Sequence, residues 1–180
     1  MNSFIINGSN SNFYTHFTEL IRECKSFSFS VAFINFSGVQ LLLDSLEYCK
    51  KNKIKGKILT STYLSFTQPK ALEKILEYEN IELKIYDTNY FQKGFHTKAY
   101  IFEFEDDYKI LLGSSNITAS AFKSNIEWNI KTISKKYDIF ANEMLNEFDT
   151  LFKQSFKVDD KFINQYKEFY AKNKIKAFSY

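Results

Sequence analysis

Large and small side chains alternate strictly between residues 26 and 33: Phe27, Phe29, Val31 and Phe33 are separated by Ser26, Ser28, Ser30 and Ala32. A two-residue period belongs to an extended strand, whose successive side chains point to opposite faces. One face of this strand carries rings, and the other carries side chains small enough for a second layer to come close. The pattern predicts a central strand packed on both sides.

What flanks that strand fixes the fold class. Phe13, Phe17, Leu20, Ile21 and Cys24 recur at helical spacing before it, with Ser9 or Ser11 placed to cap the helix. Ser37 opens a second helix with Val39, Leu42, Leu43 and Leu46 on its buried face, ending in Lys50, Lys51, Asn52 and Lys53. A strand at 54–60, a helix begun by Pro69 with Leu72, Ile75 and Leu76 buried, and a strand at 81–86 follow. This β-α-β-α-β order favours parallel pairing. Two strands at about 95–105 and 108–112 are separated by Glu105, Asp106 and Asp107 and read as a hairpin. A strand at 126–133, with Trp128 expected in the core, and a helix at 136–152 complete the pattern. The expected architecture is an α/β sandwich with a mixed, mostly parallel sheet flanked by helices on both faces.

With 180 residues the chain reads as one domain, residues 1–180, in which about 155–180 form a C-terminal helical extension that packs on the core or leads into a partner domain. A chain of this size buries roughly 70% of its unfolded surface, so it needs no staples. Cys24 and Cys49 lack CxxC spacing, and with two histidines they argue against a disulfide framework and a zinc cluster. No metal and no cofactor are expected. The longest uncharged stretches fall short of a membrane span, and the start lacks the basic residues of a signal peptide. The reading is a soluble cytoplasmic protein with no membrane role. Net charge is +3, too mild to prove a polyanionic partner. Of the 24 basic residues 23 are lysines and one, Arg22, is arginine. Base edges are read most often by bidentate arginine, so any nucleic-acid binding should be dominated by phosphate contacts. The run Lys50, Lys51, Lys53, Lys55 and Lys57 reads as a solvated helix end and strand edge rather than a nucleic-acid track.

Chemistry concentrates in three segments. In Phe95-His96-Thr97-Lys98-Ala99-Tyr100-Ile101-Phe102, the i, i+2 spacing projects His96 and Lys98 to one face. Gly113-Ser114-Ser115-Asn116 supplies small polar groups at a strand end, where anion sites are commonly built, and Glu127-Trp128-Asn129 follows on the next strand. Taken singly, Lys98 reads as a solvated strand lysine, Asn116 as a turn residue and Glu127 as a cross-strand partner; taken together they describe one pocket.

These segments resemble the phospholipase D superfamily, whose signature is HxK, an acidic residue a few positions on, and a GS...N segment. His96, Lys98, Ser114, Ser115 and Asn116 match it. Glu103 stands where the family's aspartate usually falls, and GSSN replaces the longer GSxxN form, departures that point away from phospholipase activity. FHxKxYIF, GSSNxT and NxEWN are similar to metal-independent restriction endonucleases and to the phospholipase D-like domains fused to bacterial superfamily 2 helicases. The similarity extends upstream to Gly56–Leu64 and Thr67–Leu72. No GxxxxGK[ST] is present, so these residues hold no motor and read as a stand-alone relative or as the N-terminal domain of a longer protein.

The resemblance implies a metal-independent phosphodiesterase acting on DNA or RNA. His96 would attack phosphorus, and Lys98 and Asn116 would hold the non-bridging oxygens, aided by Ser114. Glu127 would hydrogen-bond and orient His96, with Glu103 as the alternative that strand parity disfavours. Ser115 and Asn129 are candidate substrate contacts, Asn129 equally a structural hydrogen-bonding residue. Because one chain holds one such element and His16 sits in an aromatic helix, a homodimer would be needed to supply a second histidine as acid. Tyr63, Phe66 and Tyr90 would stack on bases or cover the core. A restriction or anti-phage setting, with specificity set elsewhere, is the implied context. The competing readings are a phosphate-holding accessory domain of a helicase and lipid headgroup chemistry.

Overall fold

The computed structural model describes residues 2–8 and 11–177. The first helix, α1 (Phe13–Glu23), is capped by Asn12, whose side chain accepts the Thr15 N–H; Ser11 lies outside the helix, and the alternative cap Ser9 lies outside the described residues. Before it, a short strand β1 (Ser3–Ile5) was not expected from periodicity, because three residues are too few to show any. β2 (Ser26–Val31), α2 (Phe36–Lys51), β3 (Lys55–Ser61), α3 (Pro69–Leu76) and β4 (Ile81–Tyr86) follow as the pattern predicts. The hairpin forms from β5 (Lys98–Glu103) and β6 (Asp107–Gly113). A short helix α4 (Ala119–Lys123), strand β7 (Asn129–Lys135), helix α5 (Ile139–Gln154), the two-residue strand β8 (Phe156–Lys157) and helix α6 (Asp160–Ala177) close the order.

One eight-stranded sheet runs β1-β7-β6-β5-β2-β3-β4-β8. It is mixed, but the expectation that it is mostly parallel is corrected: only β2-β3 and β3-β4 pair in parallel, and the other five neighbours are antiparallel. The β-α-β-α-β half sets the parallel strands through its helical crossovers. The hairpin then docks its first strand antiparallel beside β2, and everything added afterwards inherits that sense.

Helices lie on both faces. Phe27, Phe29 and Val31 join Tyr100, Phe102, Ile58 and Leu83 under α1, α2, α3, α4 and α6, where rings from Phe13, Phe17, Phe29, Tyr100 and Phe122 meet tilted or edge to face. Each such buried ring contributes roughly 1.5–3 kcal/mol. On the small-residue face α5 packs alone, its Phe148 and Phe152 against Leu59, Tyr86 and Phe95. It leaves Ser26 and Ser28 in an open cleft. The C-terminal helix packs on the core: Ile163 and Tyr166 are buried, the Tyr166 hydroxyl donates to Thr67 O at 2.9 Å, and Lys167 pairs with Glu73. No described helix is long and apolar enough to cross a membrane.

Candidate active site

The site is assembled where β2 and β5 end side by side. Val31 pairs with Lys98 as the last pair of the ladder, and the hydroxyls of Ser30, one residue inside it, and Thr97, one residue outside it, meet at 2.6 Å. Phe33 and His96 each lie two residues beyond that pair. His96 lies two residues before β5 begins rather than within it, so the i, i+2 rule of a strand does not reach it. The Lys98 ammonium donates to the His96 carbonyl at 2.8 Å. The exposed His96 ring meets the Tyr63 ring edge to face at 4.3 Å, from the 3-10 turn at Tyr63–Ser65.

The segment after β6 is drawn onto this point by two close approaches. A Cβ at Gly38 on α2 would stand 2.7 Å from Thr118 N, so only glycine lets α2 lie against the 116–118 backbone. At Gly113 a Cβ would stand 2.5 Å from Asn129 Oδ1, so β6 and β7 close tightly at the same place. Asn35 N–H donates to Ile117 O at 2.9 Å. Asn116 is buried, and its Oδ1 accepts the Phe33 N–H at 3.2 Å. A backbone N–H needs an acceptor, so this contact fixes which end of the amide is the oxygen and leaves the two Nδ2 donors on the other side. None of the described hydrogen bonds uses those donors.

Ser114 is exposed, and its hydroxyl donates to the Glu127 carboxylate and accepts the Trp128 N–H at 3.1 Å. Glu127 was expected to hydrogen-bond His96; in this structure its carboxylate is held by Ser114 instead, because both sit on the short segments that lead out of β6 and into β7. It lies close enough to Lys98 and Tyr100 to act on both. Burial lowers the Lys98 pKa, and the Glu127 charge opposes that shift. Burial raises the Tyr100 hydroxyl well above its ordinary value, and its O–H donates to Ser115 O at 2.8 Å, pinning the loop from below.

Two expected substrate contacts lie beneath the site instead. Ser115 is fully buried; its N–H donates to Asn129 Oδ1 at 3.3 Å, and Asn129 Nδ2 donates to Ser115 Oγ at 2.9 Å. Their polar atoms are engaged with each other, so they position the loop and do not face an incoming ligand. Glu103, on the opposite strand parity, accepts from Ser26 at 2.6 Å and Lys136 at 2.8 Å at the far end of β5. It is removed from His96, as the parity argument expects. Trp128 is a correction of another kind: expected in the core, it is 69% exposed and meets only the Phe4 ring edge to face among described aromatic contacts, because β7 begins after it. His16 stands apart on α1, between Ser11 and Lys131, with its pKa lowered by burial and then by Lys131. No three His, Cys, Asp or Glu side chains among the described residues gather as metal ligands.

Sequence reasoning missed the Phe33 N–H that orients Asn116, since a main-chain donor leaves no mark in a sequence. It also missed the reciprocal Ser115–Asn129 pair, for which the shared side of the two residues was the available signal.

The fold has counterparts among solved structures. NucT from Helicobacter pylori superposes with a TM-score of 0.65 at 15% identity, over 88% of this chain and 99% of that one. Phosphatidylserine synthase from Haemophilus influenzae gives 0.65 at 13% identity, over 98% of this chain and 46% of that one. Yeast tyrosyl-DNA phosphodiesterase gives 0.52 at 18% identity, over 83% and 38%. At these identities the likeness is one of fold. No curated protein matches the chain significantly in sequence. The family model described as cardiolipin synthase, PLD-like domain, matches residues 17–153. That span runs from α1 into α5 and holds every residue from His96 to Asn129 discussed above, so the chain belongs to the phospholipase D-like domain family.

Proposed function

We propose that this chain is a metal-independent phosphodiesterase that cleaves DNA through a covalent phosphohistidine on His96, as a homodimer whose two copies share one active site. The observation that carries this reading is the meeting, where β2 ends and β5 begins, of the exposed His96, the half-buried Lys98 whose ammonium reaches the His96 carbonyl, and Asn116, whose oxygen is taken by the Phe33 N–H and whose Nδ2 donors no described bond uses. Together they offer a nucleophile and hydrogen-bond donors for a phosphate that lies over them.

In the first step a ring nitrogen of His96 attacks phosphorus, the N–P bond forms and the bond to the leaving oxygen breaks. The partner's His96, on the far side of the phosphate, gives that oxygen its proton. In the second step water attacks phosphorus, the same partner histidine takes the water's proton, and the N–P bond breaks to restore His96. Glu127 orients His96 once a bound phosphate draws Ser114 away.

The need for a second copy agrees with the surface. Trp128, Phe4, Ile126 and Ile130 are exposed beside Glu127, an apolar patch next to the site that a two-fold related copy would cover. Near-complete coverage of NucT fits a single-element unit, whereas the chain spans under half of the phosphatidylserine synthase. DNA is favoured by the name of tyrosyl-DNA phosphodiesterase and by the motif resemblance to restriction endonucleases and helicase-fused domains. That resemblance also suggests restriction or anti-phage defence, with a helicase or another partner setting specificity. The accessory-domain reading keeps one observation in its favour, the engagement of Glu127 with Ser114 rather than His96.

The test is cleavage of labelled DNA in excess EDTA by wild type and His96→Ala. Cutting that survives chelation and vanishes in the variant supports the proposal. Binding without cutting supports the accessory reading. Headgroup release from phosphatidylcholine vesicles with no DNA cleavage would move the substrate to lipid.

A further inference from the structure

Four non-glycine residues among those described have positive φ: Lys53, Leu64, Ser65 and Gln92. Lys53 follows the end of α2, where the left-handed conformation is routine. The other three, with φ of 48°, 55° and 51°, border one cleft of about 530 Å³ at the ends of β3 and β4. Such conformations cost on the order of 1 kcal/mol or more each and persist where the surroundings require a particular shape. Here the hydrogen bonds that hold the strain are visible. Ser65 N–H donates to Thr62 O at 3.0 Å, its hydroxyl accepts from Asn173 Nδ2 at 2.9 Å, and Gln92 Nε2 reaches Asn89 O.

The cleft opens beside His96. Tyr63 lines it and touches the histidine ring, and Gly94 lines it with its Cα side toward His96 Nε2. Its walls carry two ring faces, Tyr63 and the half-buried Phe169 of α6, and three amide side chains, Asn89, Gln92 and Asn173. The described bonds engage the NH₂ groups of Gln92 and Asn173, leaving their carbonyl oxygens as acceptors. Lys93 at the rim is exposed. Flat apolar faces combined with amide hydrogen-bonding groups and one cation match a nucleobase attached to phosphate, since bases stack on aromatic side chains and amides read their edges.

We infer that this cleft takes one unstacked nucleobase next to the scissile phosphate, so that the chain prefers single-stranded over duplex substrate. The inference rests on the phosphodiesterase reading of His96. A base in the cleft has left its helical stack, which a single strand allows at little cost and a duplex resists. The α6 helix takes part through Phe169 and Asn173, which gives the C-terminal segment a role in substrate choice.

The test is equilibrium binding to the non-cutting His96→Ala protein, by fluorescence anisotropy, of three labelled probes of equal length: a single strand, an abasic sugar-phosphate chain and a duplex. This protein should bind the single strand about tenfold more tightly than either other probe, the contribution of one stacked base. Asn89→Trp added to this protein, at an exposed position where the new ring fills the cleft, should bring that ratio to about one. Equal affinity for all three probes, or a ratio untouched by Asn89→Trp, overturns the inference. Cutting of the single strand by wild type, measured in parallel, separates the two claims: base preference without any cutting by wild type would remove the catalytic reading and keep the subsite.

Discussion

The Ser114 hydroxyl and the Glu127 carboxylate are bonded to each other across the mouth of the site, and that bond holds a negative charge close to Lys98. Burial lowers the Lys98 pKa, and the Glu127 charge is what opposes it. Glu127→Gln removes that opposition and keeps a hydrogen-bonding side chain of the same size. The ammonium should then lose its proton at lower pH, so the alkaline limb of kcat/KM against pH should move toward neutrality. An alkaline limb that stays in place would separate Glu127 from Lys98.

Asn116 does two things with one amide, and two substitutions separate them. Asn116→Ala should cost about 1–2 kcal/mol of stability by leaving the Phe33 N–H without its acceptor. It should also lower kcat by about 10²–10³, the scale of a lost oxyanion donor. Asn116→Asp keeps an oxygen for Phe33 and should recover stability, yet kcat should stay low because a carboxylate repels phosphate. Urea midpoints and kcat on the three proteins check this.

Ser115 and Asn129 should behave as supports. Asn129→Ala leaves both the N–H and the hydroxyl of a fully buried serine short of partners, at about 2 kcal/mol or more. KM should remain within about twofold if neither residue touches substrate. A large rise in KM with an unchanged urea midpoint would return them to the binding surface.

The Glu103–Lys136 pair gives the fold a pH signature. The Lys136 hydrogen bond, with that of Ser26, holds the Glu103 pKa below its ordinary value. A depressed carboxylate contributes stability that is complete above its unfolded value and fades as pH falls through the folded one. Wild type should exceed Glu103→Gln in melting temperature at neutral pH, within about 1 kcal/mol since water screens the pair. The two proteins should converge in acid. A constant difference across the acid range would show that packing, not charge, sets it.

Periodicity placed β2, α2, α3, β4 and the hairpin because each buries one face over five or more residues. β1 and β8 escaped because three and two residues carry no period, and the direction of the sheet escaped because pairing partners are tertiary facts. At the site, the motif spacing brought His96 and Lys98 into contact, through the Lys98 ammonium and the His96 carbonyl, although His96 precedes the strand. Strand alternation failed for Trp128, whose segment precedes β7 and whose described ring neighbour is the exposed Phe4 rather than a core layer. Backbone partners such as Phe33 N–H, and the left-handed Leu64, Ser65 and Gln92 around the cleft, have no sequence signal because none is glycine or asparagine.

The central claim, that cleavage passes through a bond from phosphorus to His96, is tested most directly by the stereochemistry at phosphorus with a chiral phosphorothioate DNA substrate cleaved in EDTA in isotopically labelled water, which makes the phosphorus of the terminal product stereogenic. Two successive in-line displacements, the first by His96 and the second by water, predict net retention of configuration, with no product from His96→Ala. Inversion, or cleavage that persists in His96→Ala, would contradict it.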